Sequence, residues 1–311
     1  MHYYKVADNT YVIDPMVFGI REFTSVYLLV NDTLTLIDSG SPKSAPLVLD
    51  AIRSLGFRPN DVSRIILSHI HFDHASGAGE LVKHMPRAKV YVHHKGYQHL
   101  IDPSRLTGSA QKVFGTMIDE WYGKFAAVPK ERIVTVDDGD TIELGNGRKL
   151  RILATPGHAK HEICLYDSDT GSLFTGDEAG IYLPYGPVLI PTTPPPDFDP
   201  DRNIETIRRL QALKPTALFF AHYSGTKAVD ETLECAMNTL ASWKEIVGNA
   251  LHQVIPFDTI TERLKSQTAQ KLSWLKGRED VKEWIMNHHI PMCARGYIHY
   301  FAKEKCTPDQ R

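Results

Sequence analysis

The chain has 311 residues, 42% of them hydrophobic and 23% charged, with 21 Gly and 19 Pro, a composition that excludes a disordered or fibrous protein. Its 35 Lys and Arg against 37 Asp and Glu leave a formal net charge of −2, which argues against a nucleic-acid partner held by bulk positive charge. There is no run of eighteen apolar residues, the first residues lack the basic and apolar stretches of a secretory signal, and Cys164, Cys235, Cys293 and Cys306 form no close pair, so the expectation is a cytoplasmic protein with no membrane span and reduced thiols.

Residues 25–30 and 34–37 read as strands around the Asn31-Asp32 turn, and Asp38-Ser39-Gly40 ends the second in a tight loop. Helical apolar spacing runs through 44–55 and stops at Gly56. A short buried strand at 65–67, a helix at 79–84 ended by Pro86 and a strand at 89–92 follow. Strand candidates continue at 133–136, 150–153, 162–166 and 173–175. Residues 181–200 carry seven prolines and no periodicity, which predicts neither a helix nor a central strand. Asp199-Pro200 is a helix start, with Asp as N-cap and Pro at the first helical position, for a helix to about Leu213. A strand at 217–220 closes this part. Beyond Thr226 three helical stretches are expected, at 228–250, 257–271 and 278–289. The chain therefore divides into an α/β unit, 1–226, and a helical C-terminal extension, 227–311, packed on it. Val229, Leu233, Ala236, Met237, Leu240, Trp243 and Val247 form a helical stripe that must be buried. The expectation is that it packs on the α/β unit, helps form a homodimer and narrows access to the active site, with Trp274 and Trp284 as candidate anchors.

The chemistry concentrates after the strand at 65–67, where the chain reads His69-Ile70-His71-Phe72-Asp73-His74. Residues two apart in an extended segment share a face, so His69 and His71 point the same way, and a short turn brings Asp73 and His74 toward them. Imidazole and carboxylate are ordinary ligands of zinc and similar divalent ions. Crowding four such groups without a metal would leave a desolvation cost uncompensated.

This hexapeptide resembles the H-x-H-x-D-H motif of the metallo-β-lactamase superfamily. Later elements of the pattern follow in order: Thr155-Pro156-Gly157-His158, Phe174-Thr175-Gly176-Asp177 and Phe220-Ala221-His222, with Asp38-Ser39-Gly40 matching the early D-x-G element. The resemblance spans residues 20–226. It implies an αββα sandwich with the metals at one edge. It also implies that His69, His71 and His158 hold one ion, Asp73, His74 and His222 a second, and Asp177 bridges them. The ions would be two divalent metals, zinc by default, with iron or manganese as alternatives. The activity implied is hydrolysis of a small ester, lactone or thioester by metal-bound hydroxide, with Asp73 or water passing a proton to the leaving group. A phosphodiesterase and a non-catalytic metal-binding module are the alternative readings.

Asp177 stands where β-lactamases of this fold commonly carry Cys, and His71 where the diiron reductases usually carry Glu. The surroundings resemble the glyoxalase II and N-acyl homoserine lactonase branches. The cysteine-, glycine- and arginine-containing stretch of glyoxalase II is absent after Asp177, and Gly180 replaces the lactonase tyrosine. Tyr182 and Tyr185 are the candidates to occupy that space, and the insert 181–200 is expected to wall the substrate pocket. His161 is expected to face solvent or stand behind a ligand, and Glu178 to be solvated. His93-His94 and His288-His289 are assigned ordinary surface or core-edge roles.

Overall fold

Strand residues two apart face the same side of a sheet, and that alternation sorts the apolar side chains into three layers. The computed structural model describes residues 2–183 and 188–306. The first sheet takes β1 (Tyr3–Ala7), β2 (Thr10–Ile13), β3 (Val26–Val30), β4 (Leu34–Ile37), β5 (Val62–Ile66), β6 (Lys89–His93) and β7 (Ile133–Val136), side by side in chain order. Pairing is antiparallel from β1 to β4 and parallel from β4 to β7. The second sheet contains β8 (Thr141–Gly145), β9 (Arg148–Ala154), β10 (Ile163–Asp167) and β11 (Ser172–Phe174). A separate hairpin, β12 (Ile181–Leu183) with β13 (Val188–Ile190), interrupts the chain before β14 (Ala217–Phe219) and β15 (Gly225–Thr226) complete that sheet in the order β15-β14-β11-β10-β9-β8.

Helices cover both outer faces. On the first sheet lie α1 (Ala45–Ser54), α2 (Phe72–Ala75), α3 (Ala78–His84), α4 (Tyr97–Ile101), α5 (Ser104–Phe114) and α6 (Met117–Tyr122). On the second lie α7 (Pro200–Ala212), α8 (Val229–His252), α9 (Phe257–Leu272), α10 (Glu279–Trp284) and α11 (Ile290–Cys306). The middle layer, between the sheets, takes Tyr27, Leu29, Ile37, Ile66, Ile152, Leu165, Phe174 and Phe219. Their neighbours in sequence turn outward: Leu28, Leu36 and Ile65 toward α1 and α3, and Leu153, Cys164, Leu173 and Leu218 toward α7–α11. The result is the expected αββα sandwich with a helical C-terminal extension. Trp243, Leu240, Val247 and Tyr297 belong to the same apolar cluster as the outer face of the second sheet. No helix among the described residues is long and apolar enough to cross a membrane.

Three features were not legible in the sequence. The first is the trio α4–α6, of which only Leu100 and Ile118 are buried among the described side chains. The second is the hairpin inside the Pro-rich insert, which belongs to neither large sheet. The third is the far end of the chain. The stretch expected at 278–289 passes from α10 through a π turn, Ile285–His289, into α11. The helical run continues through Pro291, which lies just after the π turn.

Candidate metal centre

His69, His71, Asp73, His74, His158, Asp177 and His222 all lie at one edge of the sandwich, in segments that leave the C-terminal ends of β5, β9, β11 and β14. His71 is the N-cap of α2, and its carbonyl accepts the N–H groups of His74 (3.2 Å) and Ala75 (2.9 Å). That turn swings Asp73 and His74 back beside His69. The sheets are tied together here: Ser68 accepts from the Ile163 N–H at 2.8 Å, and Ala221 from the Ser25 N–H at 2.7 Å.

Hydrogen bonds aim the rings. The Nδ1 of His158 donates to the Thr192 carbonyl (2.8 Å) and that of His222 to the Phe23 carbonyl (3.0 Å). Ser68 Oγ donates to Asp38 Oδ2 (3.0 Å) and so accepts from His69 Nδ1 (3.0 Å). Glu162 Oε2 is 3.3 Å from the same nitrogen, and Asp38 Oδ2 is 3.5 Å from His74 Nδ1. These contacts turn four Nε2 atoms inward. There, His74 Nε2 and His222 Nε2 lie 3.2 and 3.4 Å from Asp73 Oδ2, and both are 3.6 Å from Asp177 Oδ1. His69 Nε2 and His158 Nε2 lie 4.0 and 3.7 Å from Asp177 Oδ2. His71 Nδ1 and His158 Nε2 are 2.9 Å apart. Asp177 thus faces both groups through different oxygens.

The donor set fits two divalent cations. His69–His71–His158, His69–His74–Asp177 and Asp73–His74–His222 are each clusters able to hold a metal ion. His69 Nε2, His74 Nε2 and Asp177 Oδ1 are buried with no hydrogen-bond partner, an expensive condition for polar atoms unless a further group engages them. The electrostatics agree. Burial pushes the His69 imidazole well below its ordinary value and that of His71 down to about 3. At His74 and His222 burial acts in the same direction, but the carboxylates of Asp73 and Asp177 outweigh it and hold His222 up at about 9. Ion binding would release those protons.

Other expectations change. Glu178 is not solvated. It is 1% exposed, its Oε2 accepts the His158 N–H (3.1 Å) and its Oε1 accepts from Asn203 Nδ2 (2.6 Å), because the turn after Asp177 directs it inward against α7. His161 takes the second of its two expected places, behind a ligand: it is buried, its ring stacked on His69 at 6.3 Å between centroids. Glu162, absent from the sequence-based site, is buried and its Oε1 accepts the Asp177 N–H at 2.8 Å. Gly176 sits at φ +53°, and a Cβ there would run into that same Oε1, so the glycine lets the Asp177 loop close over Glu162. Tyr182 stacks its ring on Phe220 (5.0 Å, 16°) and donates its N–H to the His222 carbonyl (2.8 Å). Tyr185 lies outside the described residues. His93 and His94 meet a carboxylate that the sequence did not place near them, Asp137, 2.9 Å from His94 Nδ1. His289 is buried and bonded to the Pro191 carbonyl at 2.8 Å, whereas His288 is exposed.

Comparison with known proteins agrees with this geometry. Residues 19–222 match the family model of the metallo-beta-lactamase superfamily. The chain is 33% identical over 232 residues to the metallo-beta-lactamase fold-containing protein ST1585 of Sulfurisphaera tokodaii, covering 73% of this chain and 82% of that protein. It is 30% identical over 152 residues to a hydroxyacylglutathione hydrolase of a Synechococcus species, a match covering 49% of this chain and 47% of that enzyme. The crystal structure of a metallo-beta-lactamase family protein of Thermus thermophilus, TTHA1429, shares the fold with a TM-score of 0.69 at 18% identity, over 97% of this chain and 95% of that one.

Proposed function

The chain belongs to the metallo-beta-lactamase superfamily, and from that premise we propose that it is a dinuclear metal-dependent hydrolase of a small ester, lactone or thioester. The observation that carries the proposal is the convergence of buried, partnerless ligand atoms, His69 Nε2, His74 Nε2 and Asp177 Oδ1, in one cluster at the edge of the sandwich. In this reading His69, His71 and His158 hold one ion, Asp73, His74 and His222 the other, and Asp177 spans both. Zinc is the default ion, with iron or manganese as the alternatives.

Bound divalent ions supply an activated water at neutral pH and polarise a scissile carbonyl. The chain's own residues do the rest. Hydrogen bonds to Ser68 and to the Thr192 and Phe23 carbonyls hold the imidazoles of His69, His158 and His222, and the Glu162 and Asp38 carboxylates stand beside the Nδ1 atoms of His69 and His74. Asp73, whose side chain is 16% exposed, or a water would take the proton released by the attacking water and pass it to the departing oxygen or sulfur. The likeness to a hydroxyacylglutathione hydrolase supports the thioester member of the class. The Pro-rich insert supports the pocket through its contacts with His158, His222 and Asp177, made by Thr192 and Tyr182. A cytoplasmic setting and a homodimer built on the C-terminal helices complete the reading; light scattering tests the dimer.

Elemental analysis of protein purified without added metal is expected to give close to two divalent ions per chain. A value near zero that does not rise on reconstitution overturns the metal assignment. The reconstituted protein is then screened against lactones, thioesters and bis(p-nitrophenyl) phosphate. Turnover is expected in the carboxylic series. Turnover of the phosphodiester alone would replace the substrate class, and none in any series would leave a metal-binding module.

A further inference from the structure

Among the seven ligand side chains only His71 and Asp73 retain partial exposure; the other five are buried. A substrate therefore reaches the centre on the side where these two lie. The residue between them, Phe72, meets the ring of Tyr122 at 5.4 Å between centroids. Tyr122 meets Phe18 at 5.1 Å, Phe18 meets Phe23 at 6.1 Å, and Phe23 stands edge-on to His222 at 5.1 Å. The rings thus form an arc from one ligand segment to another. The arc is extended outward by Trp284, stacked on Phe18 (3.7 Å, 26°), and by Trp121, 5.0 Å from Trp284.

Two properties distinguish these rings from ordinary core aromatics. Phe18, Trp121, Tyr122 and Trp284 are all partly exposed, although they are contiguous and could have been covered; a grouped apolar surface of that kind marks a binding surface. Phe18 also has a left-handed backbone, φ +61°, which is unfavourable for a bulky residue and persists where surrounding structure imposes it. Three distant stretches converge to make the wall: the turn at Val17–Gly19, α6 and α10. The only polar atom among the side chains besides the two indole nitrogens is the Tyr122 hydroxyl. Burial, together with the carboxylates of Asp73 and Asp177, holds that phenol well above its ordinary value.

We propose that Phe18, Trp121, Tyr122 and Trp284 bind an apolar part of the substrate beside the scissile carbonyl, so that the preferred substrates are esters or thioesters bearing a medium-chain or aromatic group rather than those of small hydroxy acids. This rests on the hydrolase reading above. The wall offers flat ring faces and carries no carboxylate, ammonium or guanidinium of its own, with His288 at its outer side, 5.3 Å from Trp121 and 4.7 Å from Trp284. It also gives α10 of the C-terminal helices a place in substrate selection.

Two measurements test it. In the first, metal-free protein is titrated with octanoate, and with acetate as control, while tryptophan fluorescence is followed. Octanoate is expected to give a saturable change that acetate does not. Its affinity should fall at least fivefold in Phe18→Gly, a change that removes the ring and relieves the backbone, and in Tyr122→Ala, and should be largely kept in Phe18→Tyr. No saturable change in the wild type, or equal affinity in both ring-removing variants, overturns the proposal. In the second, the metal-loaded protein is assayed on p-nitrophenyl acetate and octanoate, which vary the acyl side, and on methyl and octyl acetate, which vary the alcohol side. One series is expected to show at least a tenfold rise in kcat/KM with chain length, and Trp284→Ala to reduce that ratio at least fivefold, with partial recovery in Trp284→Phe. Turnover without chain-length preference overturns the wall alone. Octanoate binding without turnover of any ester or thioester overturns the hydrolase reading alone.

Discussion

Glu162 places a carboxylate at 1% exposure between His69 and the backbone of Asp177, so one side chain positions a ligand of each type. Groups that orient metal-binding histidines typically change metal affinity 10–100-fold when removed. Glu162→Ala is expected to weaken metal retention by about that factor, measured by competition with a chromogenic chelator, while secondary structure followed by circular dichroism stays intact. Unchanged retention would leave His69 held by Ser68 alone. His289 concerns stability rather than metal. Its Nε2 bonds the Pro191 carbonyl, Cys293 Sγ is 3.4 Å away, and burial pushes its imidazole down to about 4. With a folded value below the ordinary 6.5, the unfolded chain binds the proton first as pH falls. The stabilisation is therefore fully present above pH 6.5 and is lost progressively toward pH 4, with a span of up to about 3 kcal/mol. His289→Gln is expected to show a shallower loss of stability over that window in urea titrations at a series of pH values. A parallel pair of curves would exclude His289 as the source.

At the scale of elements, the π turn and α11 set the position of the segment that carries Thr192. Gly296 lies in α11 directly against the Thr193 carbonyl, and a Cβ there would overlap that oxygen. Thr193 Oγ1 also donates to the Cys293 carbonyl at 3.2 Å, and the preceding carbonyl, of Thr192, orients His158. Gly296→Ala must push the helix and this segment apart. The expected cost is about 1–3 kcal/mol, as for other overpacking changes, read from the denaturant midpoint. A lower metal affinity than the wild type should accompany it, because the displaced carbonyl no longer holds the His158 ring. A stability loss with normal affinity would show that the shift stops at Thr193.

For the whole molecule, the apolar cluster behind the second sheet joins Leu153, Cys164, Leu173 and Leu218 to Trp243, Tyr297 and Ile285. Removing α8–α11 would expose the outer face of that sheet, and burial of each large apolar side chain is worth about 1.5–3 kcal/mol. A truncation after Thr226 is therefore expected to lack a cooperative thermal transition or to aggregate, with all seven proposed ligands still present. A truncated chain that melts like the full one would mean that the cluster is dispensable. Trp284 carries the C-terminal helices to the approach of the metal centre through its stack on Phe18, whereas Trp274 is 55% exposed.

The ordered ligand segments and the α/β pattern were legible in the amino-acid sequence because each is written locally. Strand alternation, the Asp199-Pro200 helix start, where Asp199 Oδ1 does accept the Asp201 and Arg202 N–H groups at 3.1 Å, and the spacing of His69 to His74 all lie within a few residues. Only tertiary structure decided the groups that act across the chain. Glu162 and Glu178 read like any solvated carboxylates until the Asp177 loop folds over them. Phe18, Trp121 and Trp284 are separated by more than a hundred residues from one to the next, so no window of sequence contains their stack. The helices α4–α6 bury only Leu100 and Ile118 among their described side chains, so little core burial marks them in the sequence. Ligand chemistry follows from residue identity, whereas orientation, burial and the aromatic wall follow from which distant segments the two sheets bring together.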